Sequence, residues 1–125
     1  MMQKHILVID DEELIIKSLK KLLEKEGFTV FVAKNGQHAL VMIEEIEFKL
    51  IIADIRMPGM NGIETIQSIY ENLERKNLEK IPAIFITGYA DAEMKKKATT
   101  LKPKAYIYKP FDIKELTDKV KDILN

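Results

Sequence analysis

The chain has 125 residues, 46% of them hydrophobic and 32% charged, and its twenty basic and twenty acidic side chains give a formal net charge of +0. That length supports one globular core over residues 1–125 and leaves no room for a second domain, while the balanced charge excludes the overall basic field of a nucleic-acid binder. The absence of cysteine excludes a disulfide framework, a thiolate metal site and a cysteine nucleophile; with no apolar stretch of spanning length and no cleavage region after MMQKHILVIDDEE, a cytoplasmic protein without membrane insertion is expected.

In chain order, the apolar run at 5–9 predicts a first strand that closes on Asp10 and Asp11. A helix from Glu13 to Glu26 follows and stops at Gly27, a good C-terminal residue. TVFVA at 29–33 alternates, which suits an edge strand, and a second helix follows the Asn35-Gly36 turn. The run at 50–53 is continuously apolar, as in a strand buried on both faces, and leads into Asp54. Beyond the Pro- and Gly-rich turn that follows, Ile63, Ile66, Ile69 and Leu73 form one stripe of a third helix with Asn61 as a candidate N-cap. The charged stretch 71–80 reads as a loop or as an extension of that helix. A strand at 83–86 ends on Thr87, a fourth helix spans Asp91 to Thr100, and a strand at 105–108 ends on Lys109. Ile113, Leu116, Val120 and Ile123 make the stripe of a last helix, with Asp112 as its N-cap. Strands alternating with helices imply right-handed parallel crossovers, hence an α/β, doubly wound five-stranded parallel sheet inside three layers, with five helices.

In such a sheet the carboxyl ends of the strands share one edge, where ligands bind near the point at which strand order reverses. Asp10, Asp11, Asp54, Thr87 and Lys109 would converge there. Three acids suit a hard divalent cation of the magnesium type, and the lysine and hydroxyl suit a phosphoryl group beside it. Each feature alone also has a plain structural reading. Asp10 and Asp11 could serve as a helix N-cap with dipole-favoured acids, the segment after Asp54 as an ordinary strand-to-helix turn, Thr87-Gly88 as a strand exit, and Lys109 as a surface lysine at a turn.

The four segments VIDDEE, DIRMPGMNG, FITGY and AYIYKPF, in this order and approximate spacing, resemble the receiver domains of bacterial two-component response regulators over essentially the whole chain. Single-domain receivers of sporulation phosphorelays and of chemotaxis are the similar type. The resemblance implies a flavodoxin-like strand order 2-1-3-4-5. It also implies that Asp54 accepts a phosphoryl group from a histidine kinase or a histidine phosphotransfer domain. Asp11, Asp54 and the main-chain carbonyl of Arg56 would bind magnesium, or manganese in its place, with Asp10 acting mainly through water. Lys109 would pair with the phosphoryl group and Thr87 would turn inward to bond it. Tyr106 would follow as the switch aromatic, changing the face of helix four, strand five and helix five, where Lys95, Lys96, Lys97, Lys102 and Lys104 make a basic surface for a protein partner. Tyr108, two residues on, has only the reading of an edge-strand tyrosine. The resemblance further implies a cis Lys109-Pro110 bond.

The chain departs from the family in two places. Lys102-Pro103 stands where Gly-Ala is common, and the segment from Gly62 to Thr87 is a few residues longer. Arg56 and Tyr89 occupy positions that influence water access to the acyl phosphate, and both are large, so slow self-dephosphorylation is expected of what is a phosphoacceptor and not a conventional turnover enzyme. His5 and His38 fit neither a metal pair nor a phosphotransfer histidine, and surface roles are expected. The end at Asn125 leads us to expect a stand-alone regulator, monomeric or weakly dimeric. The alternatives are a receiver excised from a larger transcriptional regulator and a receiver-like interaction module that is never phosphorylated. A haloacid-dehalogenase-type phosphatase needs an acid-x-acid pair that VIDDEE lacks.

Overall fold

Each apolar run becomes a strand and each segment of helical period a helix. The computed structural model describes residues 4–57, 59–88 and 91–125. Its elements are β1 (His5–Ile9), α1 (Glu13–Lys25), β2 (Thr29–Ala33), α2 (Gly36–Glu45), β3 (Leu50–Asp54), α3 (Gly62–Arg75), β4 (Ala83–Thr87), α4 (Ala92–Thr100), β5 (Ala105–Tyr108) and α5 (Ile113–Leu124). All strand pairs are parallel and the sheet order is β2-β1-β3-β4-β5, which puts β2 at an edge as its alternation predicts.

Because successive side chains of a strand point to opposite faces, the apolar runs feed two cores. Leu7, Ile9, Ile51, Ala53 and Phe85 pack under Ala39 of α2, Ile66 and Ile69 of α3 and Ala98 of α4. Ile6, Val8, Ile52, Ile84 and Ile86 pack under Leu19 and Leu23 of α1 and Leu116 and Val120 of α5. Each of the large side chains fully buried here stabilises the fold by roughly 1.5–3 kcal/mol. His5 joins this packing: it is half-buried and meets Phe31 edge-on at 5.3 Å, so it is part of the apolar edge and not a surface group, whereas His38 is exposed.

β3 and β4 each run one residue beyond their apolar cores. Hydropathy stops at a polar side chain, but the ladder continues through the main chain: Asp54 pairs with Ile86 and Thr87 with Tyr108. Asp54 and Thr87 are therefore the last residues of rigid strands.

Three helices end alike. α1 closes with Gly27 at φ +96°, and Phe28 N–H donates to the Leu23 carbonyl at 3.1 Å. α3 closes with Asn77 at φ +57°, and Leu78 N–H donates to the Leu73 carbonyl at 2.9 Å, so the charged stretch 71–80 continues the helix only to Arg75. This is the Schellman pattern, which needs a left-handed residue after the cap. At α4 the same place falls on Lys102, at φ +53°. The left-handed backbone thus occurs without glycine, but Pro103, lacking an N–H, cannot supply the outer bond, so α4 closes on the inner bond from Lys102 N–H to the Thr99 carbonyl at 3.0 Å.

At the other end of α3, Asn61 accepts from Glu64 N–H while Glu64 accepts from Asn61 N–H, a capping box. Gly62 then donates to the Ile55 carbonyl at 2.9 Å, and a Cβ built on it would lie 2.2 Å from the Asp54 carbonyl oxygen. Only glycine lets α3 start against the end of β3.

Urea unfolding checks both backbone claims. Lys102→Gly is expected to raise stability by about 0.5–1 kcal/mol by relieving the left-handed backbone; an unchanged midpoint would show that Lys102 carries no strain. Gly62→Ala is expected to lower it by at least about 2 kcal/mol, because backbone and not a pliable side chain is in the way.

Candidate functional site

The sheet register fixes which strand ends meet. Ile9 pairs with Ala53, so Asp10 and Asp54 leave neighbouring strands side by side. Lys109 N–H donates to the Thr87 carbonyl at 2.7 Å, which fastens the end of β5 to that of β4. The peptide Lys109-Pro110 is cis, as the resemblance implies.

At this edge Lys109 Nζ bridges the acids. It lies 3.0 Å from Asp54 Oδ2, 2.8 Å from Glu12 Oε1 and 3.5 Å from Asp10 Oδ2. The remaining oxygens of the two aspartates are tied to main chain: Asp10 Oδ1 accepts from Glu12 N–H at 2.9 Å, and Asp54 Oδ1 accepts from Arg56 N–H at 3.2 Å. Asp10 and Asp54 are buried, with 0% and 3% exposure, while Glu12 stands at the mouth. Burial pushes the Asp10 carboxyl up to about 6; the Glu12 N–H works against this, the Asp54 charge adds to it and the Lys109 charge opposes it. Burial alone would lower Lys109, but its bonds to Glu12 and Asp54 and the charge of Asp10 outweigh that and hold its pKa above the ordinary value.

Carboxylate oxygens of Asp10, Glu12 and Asp54 come within 4.8 Å of one another. When all three are ionised they outnumber the single ammonium by two charges (3 − 1 = 2), which a divalent cation would offset, and every donor is the hard oxygen that magnesium prefers. The group fits such an ion. It differs from the expected set in one member: Asp11 is exposed and outside the group, whereas Glu12 belongs to it. The sequence did carry a signal for Glu12. Glutamate is a poor N-cap residue, yet Glu12 holds the N-cap position of α1 and makes no side-chain capping bond.

Thr87 is buried at the end of β4, and Arg56 is exposed two residues beyond Asp54. Tyr89 and Pro58 lie outside the described residues. Tyr106 is half-buried on β5; among the described residues its hydroxyl is buried without a hydrogen-bond partner, and burial together with the nearby Tyr108 and Asp91 pushes its pKa up. Its ring meets Tyr108 at 5.4 Å, and Lys95 Nζ lies 5.6 and 5.7 Å from the two ring centres. A cleft of about 570 Å³ opens at the opposite end of the sheet, lined by Phe48, Leu73, Leu78 and Pro82 among others, and contains none of these groups. The charged site lies at the carboxyl edge of the sheet, with Asp10 and Asp54 buried and Glu12 exposed at its mouth. No described helix is long and apolar enough to cross a membrane.

The sequence model of the response regulator receiver domain matches residues 6–121. The chain is 34% identical to sporulation initiation phosphotransferase F of Bacillus subtilis, covering 99% of this chain and 96% of that protein. It is 35% identical to the transcriptional regulatory protein CrdR of Helicobacter pylori, covering 99% of this chain and 56% of that protein, so it spans little more than half of that relative. Among solved structures, a CheY-like response regulator receiver domain protein from Methanospirillum hungatei superposes with a TM-score of 0.87 at 33% identity, over 98% of this chain and 94% of that one.

Two outcomes follow from the site's electrostatics and packing. Asp10 holds its proton more tightly folded, about 6, than at its ordinary 3.8, so between these values the folded state binds more protons and loses stability as pH rises. In metal-free buffer, the stability of Asp10→Asn relative to wild type is expected to increase from about pH 4 to about pH 6 and then level off, read by urea unfolding at each pH; a flat difference would refute the shift. Tyr106→Phe loses no hydrogen bond, so its unfolding midpoint should be unchanged or raised, by up to about 1 kcal/mol, and a clear drop would reveal a hydroxyl partner.

Proposed function

Because the chain belongs to the response regulator receiver domain family, we propose that Asp54 is its phosphoacceptor, charged by a histidine kinase or a histidine phosphotransfer protein, and that residues 1–125 act as one receiver unit in the cytoplasm. The observation that carries this is the ammonium of Lys109 at 3.0 Å from Asp54 Oδ2, at a sheet edge shared with Asp10 and Glu12.

In the reaction a carboxylate oxygen of Asp54 attacks the donor's phosphorus. The new P–O bond forms as the P–N bond to the donor imidazole breaks, and the electron pair of that bond leaves with the imidazole. A carboxylate is already ionised, so no general base is needed. Lys109 has three N–H groups and can turn one toward the transferred oxygens while keeping a carboxylate partner. The Arg56 N–H bond engages Asp54 Oδ1, so Oδ2, the oxygen beside Lys109, would be the one to react as the ammonium turns toward the transferred oxygens. Asp10, Asp11, Asp54 and the Arg56 carbonyl would hold magnesium, or manganese in its place, while Glu12, whose Oε1 is committed to Lys109, would stay outside the donor set. When bound, that cation supplies charge neutralisation for the transferred group.

Thr87, at the end of β4, would bond the phosphoryl group through its hydroxyl, and Tyr106 would follow it inward. An orphaned hydroxyl disfavours the present position of Tyr106, which supports its moving when the phosphoryl group is bound. The readout surface is then α4, β5 and α5, where exposed Lys95, Lys96, Lys97, Lys102 and Lys104 suit an acidic protein partner and not nucleic acid. Coverage of nearly the whole sporulation phosphotransferase supports a relay intermediate; coverage of 56% of CrdR supports the second reading, a receiver that belongs to a longer regulator.

Intact mass after incubation with acetyl phosphate and magnesium tests the proposal. One added phosphoryl group is expected, lost in Asp54→Ala and without magnesium, and surviving well beyond seconds if Arg56 limits water as the relay reading requires. No adduct in a folded protein that also fails to bind beryllofluoride would leave an interaction module instead.

A further inference from the structure

Glu12 has a geometry that its place in the helix does not explain. It is the N-cap of α1, but its side chain makes no bond to the helix it starts. Its Oε1 reaches Lys109 Nζ instead, at 2.8 Å, shorter than the 3.0 Å from that ammonium to Asp54 and the 3.5 Å to Asp10. Its own N–H is fixed on Asp10 Oδ1 at 2.9 Å, which ties the main chain at position 12 to a fully buried group. Both partners of the pair thus hang from fixed strand ends.

Resting on Asp54 as the phosphoacceptor, we propose that Glu12 is a positioning residue that draws the Lys109 ammonium toward the mouth of the acidic pocket, so that it is shared between the rim and Asp54 and does not sink between Asp10 and Asp54.

An ammonium has three donors and no preferred plane, and it settles where negative charge is densest. Without Glu12 the buried acids Asp10 and Asp54 would be the remaining anions within its reach, and Lys109 would sink between them. That position neutralises the nucleophilic carboxylate and removes the cation from the path of the incoming phosphoryl oxygens. With Glu12 in place, one N–H stays anchored at the exposed rim while another is free to exchange Asp54 for the phosphoryl group. The side chain of Glu12 is 55% exposed, so solvent weakens the tether and it remains an adjustable anchor. Positioning of a charge in this way acts on the rate of transfer, because misplacing a stabilising group by a short distance is costly.

The test compares wild type, Glu12→Ala, Glu12→Gln and Glu12→Asp, each also in a Lys109→Met background, by rate of Asp54 adduct formation from acetyl phosphate at saturating magnesium, and by calorimetric magnesium affinity. Glu12→Ala is expected to slow adduct formation by about three- to tenfold, Glu12→Gln by less, with Glu12→Asp partly restoring the rate. In the Lys109→Met background Glu12→Ala should cause no further loss of rate, since the tether then has nothing to hold. An unchanged or faster rate in a folded Glu12→Ala protein overturns the proposal, as does an equal loss with and without Lys109, which would make Glu12 act directly on the cation. Magnesium affinity separates the two roles again: a loss of affinity of the same size in both backgrounds, large enough to account for the rate, counts against positioning. A wild-type protein that forms no adduct overturns both this proposal and the reading of Asp54, whereas a normal wild type with a normal Glu12→Ala overturns this proposal alone.

Discussion

Asp10 and Asp54 are buried side by side at the end of a parallel sheet, and like charges at that range repel unless something of opposite sign stands between them. Lys109 supplies that charge from the far side of β4, and the main-chain N–H groups of Glu12 and Arg56 supply the rest. Burial still raises the pKa of Asp10, with the Asp54 charge adding to it, so these partners do not fully offset the cost of burying the carboxylate. An acidic pocket short of positive charge suits a divalent cation of the kind that receiver domains bind.

The scaffold makes that deficit sustainable. Central strands packed on both faces cannot shift register without moving whole layers of side chains, so the ends of β1, β3 and β4 are held in place. Gly62 allows α3 to begin in contact with the Asp54 carbonyl, which braces the acceptor from behind. By contrast β5 is an edge strand with half-buried residues, and Tyr106 sits there with its hydroxyl unsatisfied. Close packing around Asp54 and partial burial along β5 are consequences of position in the sheet.

Much of this was legible in the chain. Continuous apolar runs identify central strands, alternation identifies β2 as an edge, and Asn61 and Asp112 are visible as caps whose side chains do accept from the first turns of their helices, whereas Asp91, read as the first residue of the fourth helix, is its N-cap. Asp54, Thr87 and Lys109 are legible because each polar residue directly follows an apolar run. Helix ends were harder to read. Gly27 announces its left-handed turn, but Asn77 does so weakly, and Lys102 does so only by standing where the family commonly has glycine, because a lysine has no intrinsic preference for that conformation. Of the two histidines, His38 is exposed as expected, while His5 is drawn into the edge by Phe31, which lies across the β1–β2 pairing and not nearby in sequence.

The order of elements, the parallel sheet, the two-sided core and the residue types that end the strands can all be read from the chain, because hydrophobic period and turn chemistry are local properties that short segments carry unaided. Which carboxylates share Lys109 emerges only once the chain is folded. Asp11 and Glu12 are adjacent, equally acidic and both near the start of α1, and the choice between them depends on the direction each side chain takes from the strand end relative to a lysine 97 residues from Glu12. That direction is set by strand register, by the Asp10 bond to the Glu12 N–H and by the turn after β5, none of which any one segment contains.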